Sequence, residues 1–269
     1  GKRGDAWIFA SESCALDSVG AAFIRDVEPG EVVYVDVSGQ LQSIRDDCGS
    51  RRTSLCIFEY LYFARPDSVI DGQSVHDARI LAGRYLAREH PDVVIGVPDS
   101  GLNAAKGYAL ESGIPYNDGL IKNRYVGRTF IQPGQENREL AVRLKLNPLR
   151  SSISGRRVVV IDDSIVRGTT SRQLVRLLRE AGAKEVHMFS SAPMFIAPCY
   201  FGTDIPSKRE LIACNYTMEE MRQFIGADSL GFLSLDSLKK ITPECRCGFC
   251  DGCFTERYPI PVEEENQGT

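Results

Sequence analysis

Val158-Val159-Val160-Ile161-Asp162-Asp163-Ser164-Ile165-Val166-Arg167-Gly168-Thr169-Thr170 joins a run of β-branched residues to an acidic pair, a glycine and several hydroxyls. An uninterrupted apolar run of this kind is expected of a strand buried on both faces, as in a parallel sheet. The carboxylates of Asp162 and Asp163 then stand at the carboxyl end of the strand, where ligands of such sheets bind. They offer hard, anionic oxygens to sugar hydroxyls or to a divalent cation. Gly168 lets the backbone approach a phosphate, and Ser164, Thr169 and Thr170 add hydroxyl donors. The amides opening the next helix present the favourable end of its dipole to an anion. An ordinary strand-to-helix turn, in which the Asp and Thr residues only cap the helix, is the plainer reading. A Walker loop is excluded, because no Gly-Lys-Ser or Gly-Lys-Thr follows.

Working outward, Leu174, Val175, Leu177, Leu178 and Ala181 recur at helical spacing up to Gly182, and residues 186–190 read as the next strand. Upstream, Val93-Val94-Ile95-Gly96-Val97-Pro98 is a second buried strand. It follows a helical pattern in Val75, Ala78, Ala82, Tyr85 and Leu86 that stops at His90-Pro91. Strand, helix and strand with short connections predict βαβ units and an α/β fold, a parallel sheet flanked by helices. Residues 1–50 read as β-rich, with strands near 7–10, 21–24 and 32–37 and turn signals at Pro29-Gly30 and Ser38-Gly39. Past about residue 235 the chain turns polar and cysteine-rich. The expected organisation is therefore 1–50, 51–235 and 236–269.

Two further segments carry chemistry. Val97-Pro98-Asp99-Ser100-Gly101 lies at the end of the upstream strand; by itself it is a weak turn signal, but its place before a helix of a parallel sheet suits a second anion loop. Lys122-Asn123-Arg124-Tyr125-Val126-Gly127-Arg128-Thr129-Phe130-Ile131-Gln132-Pro133 is basic and contains glycine. It reads either as a solvated basic loop or as one that closes over an anion, excludes water and neutralises developing charge.

With 269 residues the chain can bury a sizeable core, and its net charge of -4 argues against a general nucleic-acid binder. No run of about 18 apolar residues suggests a membrane span, and Gly1-Lys2-Arg3-Gly4-Asp5 lacks the apolar core of a secretory signal, so a cytoplasmic protein is expected. Starting on glycine, and reaching strand-like sequence by residue 7, the chain is expected to be a fragment or processed product. Nine cysteines in such a chain suggest metal ligands or buried thiols more than disulfides. Cys14, Cys48, Cys56, Cys199 and Cys214 are scattered, whereas Cys245, Cys247, Cys250 and Cys253 crowd one segment. By spacing alone, Cys247, Cys250 and Cys253 suit either zinc or a four-iron cluster.

The 158–170 string resembles the phosphoribosyl pyrophosphate signature of type I phosphoribosyltransferases. Lys-Asn-Arg-Tyr at 122–125 with Arg-Thr-Phe at 128–130 is similar to the mobile loop of the amidophosphoribosyltransferase family. Ser11-Glu12-Ser13-Cys14-Ala15-Leu16-Asp17 resembles the segment closing the glutaminase domain of that family. Cys56-Ile57-Phe58-Glu59-Tyr60-Leu61-Tyr62-Phe63-Ala64-Arg65-Pro66-Asp67-Ser68 resembles the entry to its transferase domain. The resemblance implies a type I phosphoribosyltransferase fold and formation of 5-phosphoribosylamine from phosphoribosyl pyrophosphate and ammonia, glutamine being the nitrogen source in the full-length enzyme. It makes this the first step of purine biosynthesis. The implied roles are ribose and magnesium for Asp162 and Asp163, and the 5-phosphate for Ser164, Val166, Arg167, Gly168, Thr169 and Thr170. Asp99, Ser100 and Gly101 would take pyrophosphate, with Ser100 also on magnesium, and Lys122 and Arg124 would act catalytically on loop closure. Purine nucleotides as inhibitors, and a homo-oligomer, a tetramer, are implied as well; no nucleic acid or membrane partner is. Another phosphoribosyltransferase or a phosphoribosyl pyrophosphate-sensing regulator is the alternative, although no DNA-binding helical element is visible.

Cys250-Asp251-Gly252-Cys253-Phe254-Thr255 with Tyr258-Pro259 resembles the ending of the iron-sulfur branch of the family, departing from it at Glu256-Arg257. The resemblance implies Cys56, Cys199, Cys250 and Cys253 as ligands of a structural 4Fe-4S cluster, with Cys245 and Cys247 as bystanders. The front departs from the family, since the glutaminase domain with its nucleophilic amino-terminal cysteine is nearly all missing. Cys14, with no histidine nearby in sequence, is read as a buried thiol and no substitute. Turnover of ammonia but not of glutamine is expected.

Overall fold

The computed structural model describes residues 1–45, 53–88, 91–123, 145–205 and 207–262. Backbone contacts divide the chain into two units, Gly1–Asp77 with Thr242–Cys250, and Ala78–Ile241 with Asp251–Thr269. These units are drawn differently from the sequence segments 1–50, 51–235 and 236–269.

The larger unit is built on four parallel strands: β1 (Val93–Gly96), β2 (Arg157–Asp162), β3 (Glu185–Ser190) and β4 (Ser229–Phe232), in spatial order β4-β3-β2-β1. Register sets Val160 of β2 beside Ile95 on one side and Met188 on the other. Every residue of β1 is buried, as are Val158 to Asp162 of β2, which is why these strands read as continuous apolar runs rather than as alternation. Helices α1 (Val75–Leu86), α2 (Gly101–Ser112), α3 (Thr169–Glu180) and α4 (Met218–Ile225) accompany them. Helix α2 packs on β1 and β2, and α3 packs on β3 and on α4. Leu174 and Leu178 of α3 are buried with Val158, Val160, Val186 and Met188 in one core, each such side chain contributing roughly 1.5–3 kcal/mol by leaving water. Helix α4 begins in a capping box, the Thr217 hydroxyl accepting from the Glu220 amide while the Glu220 carboxylate accepts from the Thr217 amide. The sequence reading contained neither α4 nor β4.

The smaller unit is assembled from short pieces. A hairpin of Glu31–Val35 and Leu41–Arg45 matches the expected strand near 32–37 and turns at Ser38-Gly39. The strand expected at 21–24 is a single bridge between Ala22 and Lys2, and Trp7 lies in a two-residue strand that ends there. Between them sits a short helix, Ser13–Ser18, that the sequence reading lacked. Two of the strings that carry the family resemblance meet here: the Glu12 carboxylate accepts from the Arg65 amide at 2.8 Å and the Ser68 hydroxyl at 2.7 Å, and the Ser13 hydroxyl accepts from the Val69 amide. Cys14, 4% exposed, is the buried thiol expected. Ser54–Cys56 and Gly248–Cys250 pair as parallel strands, closing the unit with a segment from far along the chain. Among the described residues, no helix is long and apolar enough to cross a membrane.

Candidate active site

Strand β2 ends in Asp162, and Asp163 follows it; both are only 8% exposed. The Asp163 amide donates to Asp162 Oδ1 at 2.9 Å. Burial pushes the Asp162 carboxyl well up from the ordinary carboxylate range, and the charge of Asp163 pushes it further. Asp163 is also raised by burial. It is held back by hydrogen bonds from the Ser100 and Ser164 hydroxyls and by the positive charge of Arg79. Two adjacent buried carboxylates with incomplete compensation form a site short of positive charge. The donor set, hard oxygens and hydroxyls, suits a divalent cation or the hydroxyls of a sugar.

After the pair the chain turns through Ser164 to Gly168 into α3. Gly168 has φ +73, and a Cβ placed there would lie 2.5 Å from Ile212 Cδ1, so the position requires glycine on both counts. The Val166 carbonyl accepts from the Ile212 amide at 2.9 Å, tying the loop down. Thr169 and Thr170 open α3 and are exposed, at the amino end of a twelve-residue helix whose first amides have no partner within the helix. Arg167 turns elsewhere: its guanidinium is paired with Glu210, at 2.7 Å through Nε.

The upstream loop meets this one directly. Ser100, at the start of α2, donates its hydroxyl to Asp163 Oδ2. A Cβ on Gly101 would collide with the carbonyl oxygen of Ile161, so the glycine is what lets the amino end of α2 approach the end of β2. Lys122 Nζ pairs with the Asp99 carboxylate, both side chains being at least half exposed. Asp99, Ser100, Gly101, Lys122, Asp162, Asp163 and Ser164 are thus neighbours around one strand end. Arg124 and the rest of the basic loop through 133 lie outside the described residues.

Arg79 was missed from sequence. It is 2% exposed on α1 and stabilises the charge of Asp163. Its signal was available: it lies four residues after Val75 on the stripe shared with Ala78 and Ala82, where an arginine is out of place unless it serves a buried carboxylate.

The expected cluster ligands fall into two pairs, one in each unit. Cys56 and Cys250 face each other in the register of their paired strands, and the Ile57 amide donates to the Cys250 carbonyl at 3.2 Å. In the larger unit the Cys253 carbonyl accepts from the amides of Ile196 and Ala197 at 3.0 and 3.2 Å. The Phe201 amide donates to Cys199 Sγ at 3.4 Å. Tyr258 lies within electrostatic reach of both thiols; burial, then the charges of Tyr200, Cys253, Cys199 and Glu256, push its phenol up to about 12.

Comparison with known proteins shows the family. A model of the phosphoribosyl transferase domain matches residues 73–193, which include β1, β2, α3 and the loops at 97–101 and 163–168. The amidophosphoribosyltransferase of Archaeoglobus fulgidus is 53% identical over 270 residues, covering 98% of this chain and 59% of that protein. The chloroplastic amidophosphoribosyltransferase of Vigna aconitifolia is 51% identical, covering 98% and 55%. Among solved structures, the glutamine phosphoribosylpyrophosphate amidotransferase of Bacillus subtilis, complexed with ADP and GMP, matches with a TM-score of 0.84 and 52% identity, over 95% of this chain and 57% of that one. The chain spans about half the length of the curated relatives it matches. Its sheet, helices and loops are those of the type I phosphoribosyltransferase fold.

Proposed function

Because this chain belongs to the amidophosphoribosyltransferase family, we propose that it carries the transferase half-reaction, in which ammonia displaces pyrophosphate from C1 of phosphoribosyl pyrophosphate and leaves 5-phosphoribosylamine. In the whole enzyme the ammonia comes from glutamine, and the product enters purine biosynthesis in the cytoplasm. The observation that carries the reading is the buried Asp162-Asp163 pair bridged by Ser100 to the second loop. It sets the carboxylates between a loop suited to a phosphate and a loop suited to a pyrophosphate.

The nitrogen lone pair forms the new bond to C1 as the C1–O bond to pyrophosphate breaks, through an oxocarbenium-like transition state, and ammonia then gives up a proton to solvent. The protein's contribution is to position the sugar and take up charge. Thr169, Thr170 and the first amides of α3 hold the 5-phosphate, with Ser164 and Gly168 shaping the turn. Asp162 and Asp163 hold the ribose hydroxyls. Asp99, Ser100 and Gly101 hold the pyrophosphate. Lys122 leaves Asp99 for the leaving group as charge builds, joined by Arg124. Magnesium fits the Ser100, Asp162 and Asp163 oxygens, and when bound it neutralises pyrophosphate. Arg167, paired with Glu210, contributes to the phosphate loop through its backbone.

We assign Cys56, Cys250, Cys199 and Cys253 to a structural 4Fe-4S cluster. The support is their chemistry and their arrangement: four thiolates satisfy such a cluster, Cys56 and Cys250 face each other across paired strands, and Cys199 and Cys253 both lie within electrostatic reach of Tyr258. Purine nucleotides such as those bound to the Bacillus subtilis relative compete for the phosphate loop, and the enzyme works, as the family resemblance implies, as a homo-oligomer, a tetramer. The test is consumption of phosphoribosyl pyrophosphate with ammonium as nitrogen source, followed as pyrophosphate release. Turnover that depends on magnesium and on Asp162 supports the reading; binding of the substrate without turnover at any ammonia concentration overturns it.

A further inference from the structure

Cys245 and Cys247 have no part in the cluster assigned above, yet they stand together with an acidic residue. In the smaller unit, one ligand atom from each of Asp71, Cys245 and Cys247 lies within 4.8 Å of the other two. The two sulfurs are 3.5 Å apart, and Cys245 Sγ lies 3.1 Å from Asp71 Oδ2. A tetrahedral zinc ion with Zn–S bonds of about 2.3 Å sets its sulfur ligands roughly 3.8 Å apart and its oxygen ligand somewhat closer. The three donors are therefore already near the spacing that one ion requires.

Their supports are in place too. Asp71 and Gly72 have φ of +47 and +81 in the two-residue turn that joins Val69–Ile70 to Gln73–Ser74. That turn presents the carboxylate to the 245–247 segment. There the amides of Arg246 and Cys247 donate to Asp71 Oδ2 at 2.7 and 2.8 Å. Backbone donors of this kind orient a ligating carboxylate in metal sites. Tyr60, wholly buried, donates its hydroxyl to the Ile70 carbonyl at 2.7 Å and lies 3.4 Å from Cys245 Sγ, covering one side of the sulfur.

We propose that Asp71, Cys245 and Cys247 bind a zinc-class divalent cation, a second metal site separate from the four-cysteine cluster, with solvent as the fourth ligand. Two thiolates favour a thiophilic d¹⁰ ion over magnesium or calcium. The ion replaces the two thiol protons, which leave to solvent, and no electron is transferred. It would fasten the hairpin at 69–74 to the segment at 245–247, two parts of one unit whose Asp71 and Cys245 lie 174 positions apart in sequence.

The test uses the full chain carrying its cluster, prepared without oxygen and stripped of loosely held metal, then titrated with Zn²⁺ and, as a visible reporter, Co²⁺. One equivalent should bind, with a thiolate-to-cobalt charge-transfer band and no loss of iron-sulfur absorbance. C245S and C247S should each weaken binding by more than the ~10–100-fold typical of losing a second-shell partner, D71N should weaken it less, and C214S should leave it unchanged. Circular dichroism of each variant confirms that the fold survives. Parental zinc affinity in both C245S and C247S overturns the site. So does a cobalt signal that grows only as iron-sulfur absorbance falls, because the ion then occupies the cluster's own cysteines.

Discussion

Glu31 in the smaller unit and the Asp162-Asp163 pair in the larger are both carboxylates withdrawn from solvent, and their titrations run in opposite directions. Glu31, its side chain 1% exposed, accepts from Arg25 at 2.6 and 2.7 Å, from the Ser43 hydroxyl and from the Glu28 amide. The Arg25 hydrogen bond leads in holding its carboxyl down to about 2. Asp162 and Asp163 are raised by burial. A carboxylate whose charge is fully answered by its own chain stabilises the fold. One buried beside another carboxylate leaves part of its charge for something that arrives later, which is how a ligand site differs from a structural ion pair.

The sharpest way to break this contrast is to neutralise the pair. Asp162→Asn and Asp163→Asn should each lower turnover of phosphoribosyl pyrophosphate with ammonia by roughly 100- to 1,000-fold, the scale for removing one preorganised electrostatic group. Asp162→Asn should nevertheless leave the ligand-free protein at least as heat-stable at neutral pH. Near-parental turnover in both variants, measured at saturating magnesium, would remove the pair from the site. Next in size is Gly101→Ala, which forces a methyl group against the Ile161 carbonyl. It should cost about 1–3 kcal/mol in chemical denaturation, the range for overpacking, and should weaken pyrophosphate-side binding by displacing Ser100.

The contrast also predicts two pH dependences of opposite sign. Where folding raises an acid's pKa, its stabilising contribution is present below the unfolded value and is lost as pH rises through the folded value. Ligand-free protein should therefore lose stability through Asp162 and Asp163 as pH climbs from about 4, and Asp162→Asn should flatten that slope. For Glu31 the stabilisation is present above its ordinary value of 4.5 and is lost as pH falls towards about 2; Glu31→Gln should flatten only the acid limb. Thermal melts of the three proteins across pH check both, and the same slope in parent and Asp162→Asn would refute the assignment of charge. The smallest effect is expected at Lys122–Asp99, whose exposed partners contribute no more than about 1 kcal/mol to stability. Lys122→Met should leave the melting temperature nearly unchanged while lowering kcat, and an unchanged kcat would confine Lys122 to the surface.

What could be read from the sequence divides along similar lines. β2, the acidic pair, Gly168 and α3 were legible because strand, loop and helix follow one another, so that the local pattern contains the whole site edge. Ser100 on Asp163 and Lys122 on Asp99 join residues 63 and 23 positions apart, and only the family resemblance had set them in one site. The helix Ser13–Ser18 escaped because six residues give less than two turns of periodicity. Ala21 and Ala22 looked like a strand because a bridge and a strand have the same apolar signature. β4, Ser229-Leu230-Gly231-Phe232, carries a glycine and a serine in four residues, and nothing in so short a run separates it from a turn. The turn at Asp71-Gly72 is a strong local signal, but its meeting with Cys245 and Cys247 depends on a fold that brings residue 71 to residue 245.

The pairing of Ser54–Cys56 with Gly248–Cys250 also sets a schedule for the growing chain. At about 5–20 residues per second, synthesis needs roughly 10 to 40 s to pass from the first strand to the second. Throughout that interval the 54–56 edge lacks its partner, and it is free to pair with any strand that reaches it first. The parallel sheet of the other unit lies in the intervening sequence, so its strands are all made before the smaller unit can close. The smaller unit therefore cannot close until residue 250 is made, and a chain released before that point would carry the whole parallel sheet of the larger unit together with an unfinished smaller one.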